Sequence, residues 1–105
     1  MDRAIHGSIQ ACKEKGAYAI GLYYDAYSTW PDTILNSALV NWVEGMAEMF
    51  SPVYKGKKIE GKSYVLDLNY PKVMNIGTYN PKVPEQVKKE VAVVMGKLKS
   101  GELKP

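Results

Sequence analysis

The sequence is poor in the residues that most often build reactive or metal centres. Among its 105 residues there is one cysteine, Cys12, and one histidine, His6. A single cysteine excludes an internal disulfide and a Cys-x-x-Cys metal site. No order of residues around His6 indicates a nucleophilic triad, and the phosphate-loop pattern GxxxxGK[ST] is absent. We therefore predict no catalytic residue, no metal site and no cofactor, and we expect that the protein is not an enzyme.

Long hydrophobic runs and strong charge are also lacking. No run of 18 apolar residues is present, which argues against a membrane span, and the opening MDRAIHGSIQ lacks the apolar core of a signal peptide. The net charge is only +3. The lysines in 55–62 and 82–104 alternate with other residues and acids, so we interpret them as solvated surface and predict no nucleic-acid partner.

What the sequence does contain is an alternation of helical and strand patterns. Helical periodicity predicts helices over 3–15, over 33–53 and from Pro84 to about Gly101. The apolar run 18–24 predicts a strand that is covered on both faces, and 63–68 with 73–79 predicts a hairpin. The order helix-strand-helix-strand-strand-helix predicts one α/β domain over 1–105.

A single acid, Asp25, ends the predicted buried strand. Ligands of open α/β sheets collect at the carboxyl ends of strands, and a carboxylate there can accept two hydrogen bonds from vicinal hydroxyl groups. The neighbouring rings of Tyr23, Tyr24, Tyr27 and Trp30 are candidate walls of such a cleft. The alternative is that Asp25 caps the loop or the following helix.

Polar residues at the start of the predicted long helix extend this candidate site. Asn36 and Ser37 fall in its first turn, where free backbone N–H groups gather, and Asn41 follows. Plain capping is the alternative for the first two, and Trp42 is predicted to pack in the core. The predicted ligand-binding residues are Asp25, Tyr23, Tyr27, Trp30, Asn36, Ser37 and Asn41.

These patterns together resemble a known family. The run QACKEKGAYAIGLYYDAYSTWPDTILNSALVNWVEGM and the later VPEQVKKEVAVVMGKLKSGEL are similar to the C-terminal lobe of the basic membrane protein family. That family comprises substrate-binding lipoproteins of ABC transporters, related to purine-nucleoside receptors. The matching places are Lys15-Gly16, the strand 20–25, Pro31, Asn36-Ser37 and Asn41-Trp42.

The resemblance implies part of a type I periplasmic-binding-protein lobe, which is a three-layer α/β sandwich. Its implied function is the solute-binding component, or a fragment, of an ABC importer that binds a nucleoside or similar small polar solute in a cleft between lobes. The implied partners are a missing receptor lobe or a membrane permease. Tyr23 stands where the family has an acid and Val40 where it has a lysine, so the usual ribose contacts are altered.

Size leads to further expectations. The family's receptors have two lobes, and this chain matches only the later part of one. A lobe without its sheet neighbours leaves a strand edge and apolar surface uncovered, so we predict a homodimer. The family implies an extracytoplasmic, membrane-anchored protein, whereas the missing signal peptide favours a cytoplasmic one if 1–105 is the native product. The alternative function is a stand-alone α/β interaction or ligand-sensing regulatory domain.

Overall fold

The computed structural model describes residues 2–58, 61 and 63–104. Within them it has three α-helices, three strands and one 3-10 turn, which confirms the α/β class. In chain order the elements are α1 (Asp2–Glu14), β1 (Ala19–Tyr23), the 3-10 turn (Ala26–Ser28), β2 (Ile34–Val40), α2 (Trp42–Tyr54), β3 (Met74–Ile76) and α3 (Glu85–Ser100).

The sheet is mixed and has β2 at its centre, in the order β1-β2-β3. β1 and β2 are parallel, while β2 and β3 are antiparallel. Ala19 lies opposite Ile34, and a register shift then places Ile20 opposite Asn36. Because β1 and β2 run in the same direction, their carboxyl ends meet at one edge of the sheet.

One face of the sheet carries the core of the chain. Ile9 of α1, Ala26 of the 3-10 turn and Ile34 of β2 form the buried cluster. Tyr27 and Trp30 pack against it. The loop between β1 and β2 therefore folds back over the same face that α1 covers.

The opposite face of the sheet is open. Ile20 and Leu22 on this face are 64% and 40% exposed. α3 borders the face across an apolar groove of about 280 Å³, and none of the described residues of α3 is buried. The prediction that β1 is covered on both faces is therefore wrong for this chain, since only the α1 side is packed.

The predicted helix over 33–53 is wrong in its first third. Residues 34–40 form the central strand, and the helix begins only at Trp42. Asn41 caps α2, and its side-chain oxygen accepts hydrogen bonds from the amides of Val43 and Glu44 at 3.1 and 3.2 Å. Positions four apart share one face of a strand as well as of a helix, so the spacing of Leu35 and Leu39 is compatible with both.

The predicted hairpin is also wrong. Residues 63–68 form no strand in the part of the chain that the structure describes, and β3 pairs with β2 instead. The turn over 69–72 is present: the amide of Val73 donates to the carbonyl of Tyr70 at 2.8 Å. The observed order is thus helix-strand-strand-helix-strand-helix, not helix-strand-helix-strand-strand-helix.

The first and last helices match their predicted positions. Gly16 follows α1 at φ +66° and Gly101 ends α3 at φ +76°. Glycine populates this left-handed region without a Cβ penalty, which is why both helices stop there. Pro84 precedes the first residue of α3.

Candidate functional site

A groove opens at the edge of the sheet where β1 and β2 end. Its volume is about 490 Å³, within the usual range of small-molecule sites. Its walls come from the end of β1, the β2–α2 junction and the turn before β3. The lining residues are Tyr23, Tyr24, Asp25, Leu39, Val40, Asn41, Trp42, Val43, Pro71, Lys72, Val73 and Asn75. We call this the strand-end groove.

Tyr23 has a strained backbone at the mouth of this groove. Its φ is +74°, and it is the only non-glycine residue with positive φ in the described part of the chain. For a bulky side chain this conformation costs about 1–2 kcal/mol. Such strain is maintained only when the surrounding structure fixes it, and it is concentrated at functional sites.

Asp25 lies on the groove wall, but its carboxylate is already engaged by protein. Oδ2 accepts from the Thr78 hydroxyl at 2.6 Å and from the Thr78 amide at 2.9 Å. Oδ1 accepts from the Tyr27 amide at 3.3 Å, so Asp25 also caps the 3-10 turn. The hydroxyl of Thr78, and then the two amides, hold the pKa of Asp25 below its ordinary value against an opposing effect of burial.

The free polar groups of the groove are mostly hydrogen-bond donors. The Oδ1 of Asn41 accepts from the amides at the start of α2, and the Oδ1 of Asn75 accepts from the amide of Ile76 at 2.9 Å. The NH₂ groups of both amides therefore remain as donors. Lys72 adds an ammonium group to the same wall. A ligand that fits this lining offers acceptor oxygens.

Aromatic rings supply the apolar part of the lining. Tyr24 is held by His6 of α1, whose Nε2 lies 2.8 Å from the Tyr24 hydroxyl. Trp42 is 64% exposed at the start of α2. Its predicted core packing is therefore wrong, because Trp42 is the first residue of the helix and faces the groove rather than the sheet.

Asn36 and Ser37 are not at a helix N-terminus, because they belong to β2. Both are buried. Asn36 Nδ2 donates to the carbonyl of Gly77 at 2.7 Å, and Ser37 Oγ accepts from the amide of Ala26 at 3.1 Å. These bonds fasten β2 to the segments on either side of it, so the predicted location of this pair is wrong.

The other predicted site residues divide into two groups. Tyr23, Asp25 and Asn41 line the strand-end groove. Tyr27 and Trp30 pack instead against the core cluster under α1. The structure thus brings three of the seven predicted residues together, and ligand contact by any of them stays a prediction.

Sequence reasoning did not identify Lys72, Asn75 and Thr78. Lys72 lies in the turn before β3, Asn75 lies in β3 and Thr78 follows it. The predicted hairpin paired 73–79 with 63–68 and not with β2. Asn75 pairs with Leu39 of β2 in the antiparallel ladder, and this register carries the segment to the groove. No local pattern around Asn75 signals that pairing.

No group of three or more metal-ligating side chains occurs in the ranges 2–58 and 63–104. No helix in the structure is long and apolar enough to cross a membrane, for the residues it describes.

Comparison with solved structures gives a clear likeness in fold. No protein-family model matches the chain, and no curated protein sequence matches it. The crystal structure of a transcriptional activator of the comK gene from Bacillus halodurans matches with a TM-score of 0.76 at 21% identity. The match covers 92% of this chain and 34% of that one, so the chain spans about a third of its neighbour's length.

This comparison overturns the predicted function. The solute-binding role in an ABC importer, with a nucleoside-like solute, is wrong, because the matching structure is that of a transcriptional activator. The finding favours the alternative, a regulatory domain. It does not bear on the resemblance to the basic membrane protein family, and both that resemblance and the reading of 1–105 as the later part of a larger lobe stay predictions.

Proposed function

We propose that this chain is a ligand-sensing regulatory α/β domain, which binds a small molecule in the strand-end groove and carries out no catalytic step. The observation that carries the proposal is the fold it shares with a transcriptional activator over 92% of its length. The groove at the carboxyl ends of β1 and β2 supports it, because open α/β sheets bind ligands there.

The lining defines the class of ligand. The donors of Asn41, Asn75 and Lys72 suit carboxylate or other acceptor oxygens, and the rings of Tyr24 and Trp42 suit a flat or apolar part. A small organic acid with an apolar portion has both features. The carboxylate of Asp25 is held by Thr78 and contributes mainly by fixing the groove wall.

The position of the groove explains how occupancy can be transmitted. It lies between the end of β1, the start of α2 and the turn before β3, so one ligand touches three separate segments. A ligand shifts a conformational equilibrium only by its difference in affinity for the two states. The strain at Tyr23 and the loose packing of α2, in which Gly45 is the one described residue that is buried, provide segments whose arrangement a ligand can bias.

Binding can be tested through the fluorescence of Trp42. A Trp30→Phe variant leaves Trp42 as the single indole, and it is titrated with a panel of small aromatic and aliphatic carboxylic acids. We expect a saturable change for at least one acid, weakened tenfold or more by Lys72→Ala or Asn75→Ala. Lys57→Ala, an exposed lysine outside the groove, is the matched control and should leave the affinity unchanged.

The regulatory role is tested in the source cells. Deleting the coding sequence should change the abundance of specific transcripts, and a chromosomal Lys72→Ala, Asn75→Ala double variant should reproduce that change at normal protein level. The regulatory function is rejected if the deletion leaves the transcripts unchanged both in medium that contains the bound acid and in medium that lacks it.

A further inference from the structure

The chain exposes far more surface than a compact protein of its mass. Its accessible surface is 7909 Å², whereas the usual scaling with mass gives about 5,900 Å² for a folded monomer of this size. Its radius of gyration is 16.8 Å, against about 13 Å for a compact domain of this length. The excess of about 2,000 Å² per chain is large enough for an obligate homodimer interface.

Much of the exposed apolar surface lies beside the free edge of β1. β1 is at the end of the sheet, and no other strand pairs with its outer edge in the described residues. Ile20 and Leu22 point to the open face next to that edge, at 64% and 40% exposure. The free edge of β1 and the apolar open face therefore form one continuous surface.

The edge of β1 carries no charged side chain and no proline, which are two of the features that normally prevent pairing. Natural edge strands are protected by charged side chains, proline or bulges on the edge. From Gly16 to Tyr24 the sequence GAYAIGLYY contains no charge and no proline. A net charge of +3 on the whole chain gives little repulsion between two copies.

We propose that a second copy of this chain pairs antiparallel with β1 about a two-fold axis at Gly21. The result is a continuous six-stranded sheet, with β1 of each copy at its centre. The axis sets Ile20 opposite Leu22 of the partner subunit, and the reverse, on the open face. Directly opposed side chains on one face of an antiparallel pair lie about 4.5–5.5 Å apart, so these four apolar side chains shield one another from water.

A second copy fits this edge better than an unrelated partner for two reasons. An isologous contact requires a patch that is complementary to itself on both subunits. β1 meets this requirement about Gly21. The side chain of residue 21 is absent, and its neighbours on either side are both apolar. The described α1 and core cluster lie on the other face. α3 borders the open face across a groove that Ile20 lines, but it leaves Ile20 and Leu22 exposed, so both side chains remain accessible to this pairing.

Mass measurement tests the state of assembly. Light scattering coupled to size exclusion should give twice the 11.7 kDa chain mass for the full chain. Ile20→Lys should raise the dissociation constant at least tenfold, since two ammonium groups then lie in the contact. Tyr54→Lys, at a 97% exposed position on α2 away from this edge, is the control and should not change it.

Disulfide formation tests the register and does not depend on the lysine variant folding. In a Cys12→Ala background, chains with Ile20→Cys mixed with chains with Leu22→Cys should form a mixed disulfide dimer. Either variant alone should not, because residue 20 and residue 20 of the partner subunit are diagonal neighbours about 7–8 Å apart. A monomer at high concentration, equal cross-linking of all three samples, or a longer native product that stays monomeric would overturn the proposal.

Discussion

The carboxylate of Asp25 and the hydroxyl of Thr78 form a short hydrogen bond, in which Oγ1 donates to Oδ2 across 2.6 Å. The two residues are 53 positions apart, and the Thr78 amide donates to the same oxygen at 2.9 Å. The contact joins the end of β1 to the segment that follows β3. It therefore links the segments that lie on the two sides of β2, and it fixes one wall of the strand-end groove.

A double-mutant cycle should detect this contact. Asp25→Ala should lower the free energy of unfolding by about 1–2 kcal/mol, since it removes bonds to a charged acceptor at a partly exposed site. Thr78→Val should cost about 1 kcal/mol, because the amide bond survives. We expect the double variant to cost less than the sum of the single variants in urea unfolding. Full additivity would show that the two side chains do not interact.

The contact should make stability depend on pH. The Thr78 hydroxyl, helped by the amides of Thr78 and Tyr27 and opposed by burial, lowers the pKa of Asp25 from its ordinary 3.8. The folded state therefore binds this proton more weakly than the unfolded state, so the stabilisation is fully present above the ordinary pKa. It is lost as the pH falls through the lowered pKa. Asp25→Asn should remove that part of the acid dependence.

Urea unfolding at pH 7 and at pH 3 measures how much the ionised carboxylate of Asp25 contributes to stability. The stability difference between the natural chain and Asp25→Asn should be larger at pH 7 than at pH 3. In the Thr78→Val background the same comparison should give a smaller difference, because the largest cause of the pKa shift is gone. An equal difference at both pH values would mean that Asp25 titrates alike in the folded and unfolded chain.

The strand that leads to Asp25 could be predicted because its signal is local. A short uninterrupted apolar run ended by an acid is typical of a strand followed by a loop at a sheet edge. The same holds for α1 and α3, whose glycines Gly16 and Gly101 mark their ends. These elements are specified by residues that are adjacent in sequence.

The boundary between β2 and α2 could not be found by periodicity. Leu35 and Leu39 are four positions apart, as on one face of a helix, so they extend the true helical series of α2 backwards. A different signal was present: Asn41 followed three residues later by Glu44 is a helix N-terminal pattern. Capping residues therefore decide this boundary, and hydrophobic spacing does not.

The site residues in β3 and just after it could not be predicted from patterns of neighbouring residues. β3 has three residues and pairs with β2, more than thirty positions earlier in the chain. The alternation of Leu66 and Leu68 offered a nearer partner for it, but Leu66 packs against Gly45 of α2 instead. Through this long-range pairing Asn75 reaches the groove and Thr78 reaches Asp25. No pattern of adjacent residues indicates that pairing.

Gly21 should not tolerate a side chain. A Cβ built on it would clash with Ser37 Oγ and lie 3.0 Å from Ala26 Cβ, both in the packed interior. Gly21→Ala should therefore destabilise the fold by about 1–3 kcal/mol through overpacking. The cost should fall in a Ser37→Gly background, where the nearest contact is removed.

A second glycine provides the control for this measurement. Gly96 lies within α3, and a Cβ there meets nothing within 4 Å. Gly96→Ala should raise the free energy of unfolding by up to about 1 kcal/mol, since alanine favours the helix. If Gly21→Ala were as harmless as Gly96→Ala, the close approach of β1 to Ser37 would not exist in solution.

Asn80 is a buried polar residue that binds the segment before α3 to the start of β2. It is 2% exposed, and its Nδ2 donates to the carbonyls of Pro31 and Ile34 at 2.7 and 2.9 Å. Its Oδ1 accepts from the amide of Lys82 at 3.0 Å. One side chain thus fastens the segment before α3 to the loop that precedes β2.

Replacing Asn80 should cost more than any surface polar substitution in this chain. Asn80→Leu keeps a similar volume but removes the donors to two backbone carbonyls, so we expect a loss of about 2–4 kcal/mol in urea unfolding. Asn80→Asp should be at least as damaging at pH 7, since it sets a carboxylate against those carbonyls. Asn69→Ala, an exposed turn residue whose amide lies 3.5 Å from the Lys99 carbonyl, should change stability by no more than about 0.5 kcal/mol. Equal effects at Asn80 and Asn69 would mean that the segment before α3 is not held to the sheet, and α3 would then be free to leave the open face.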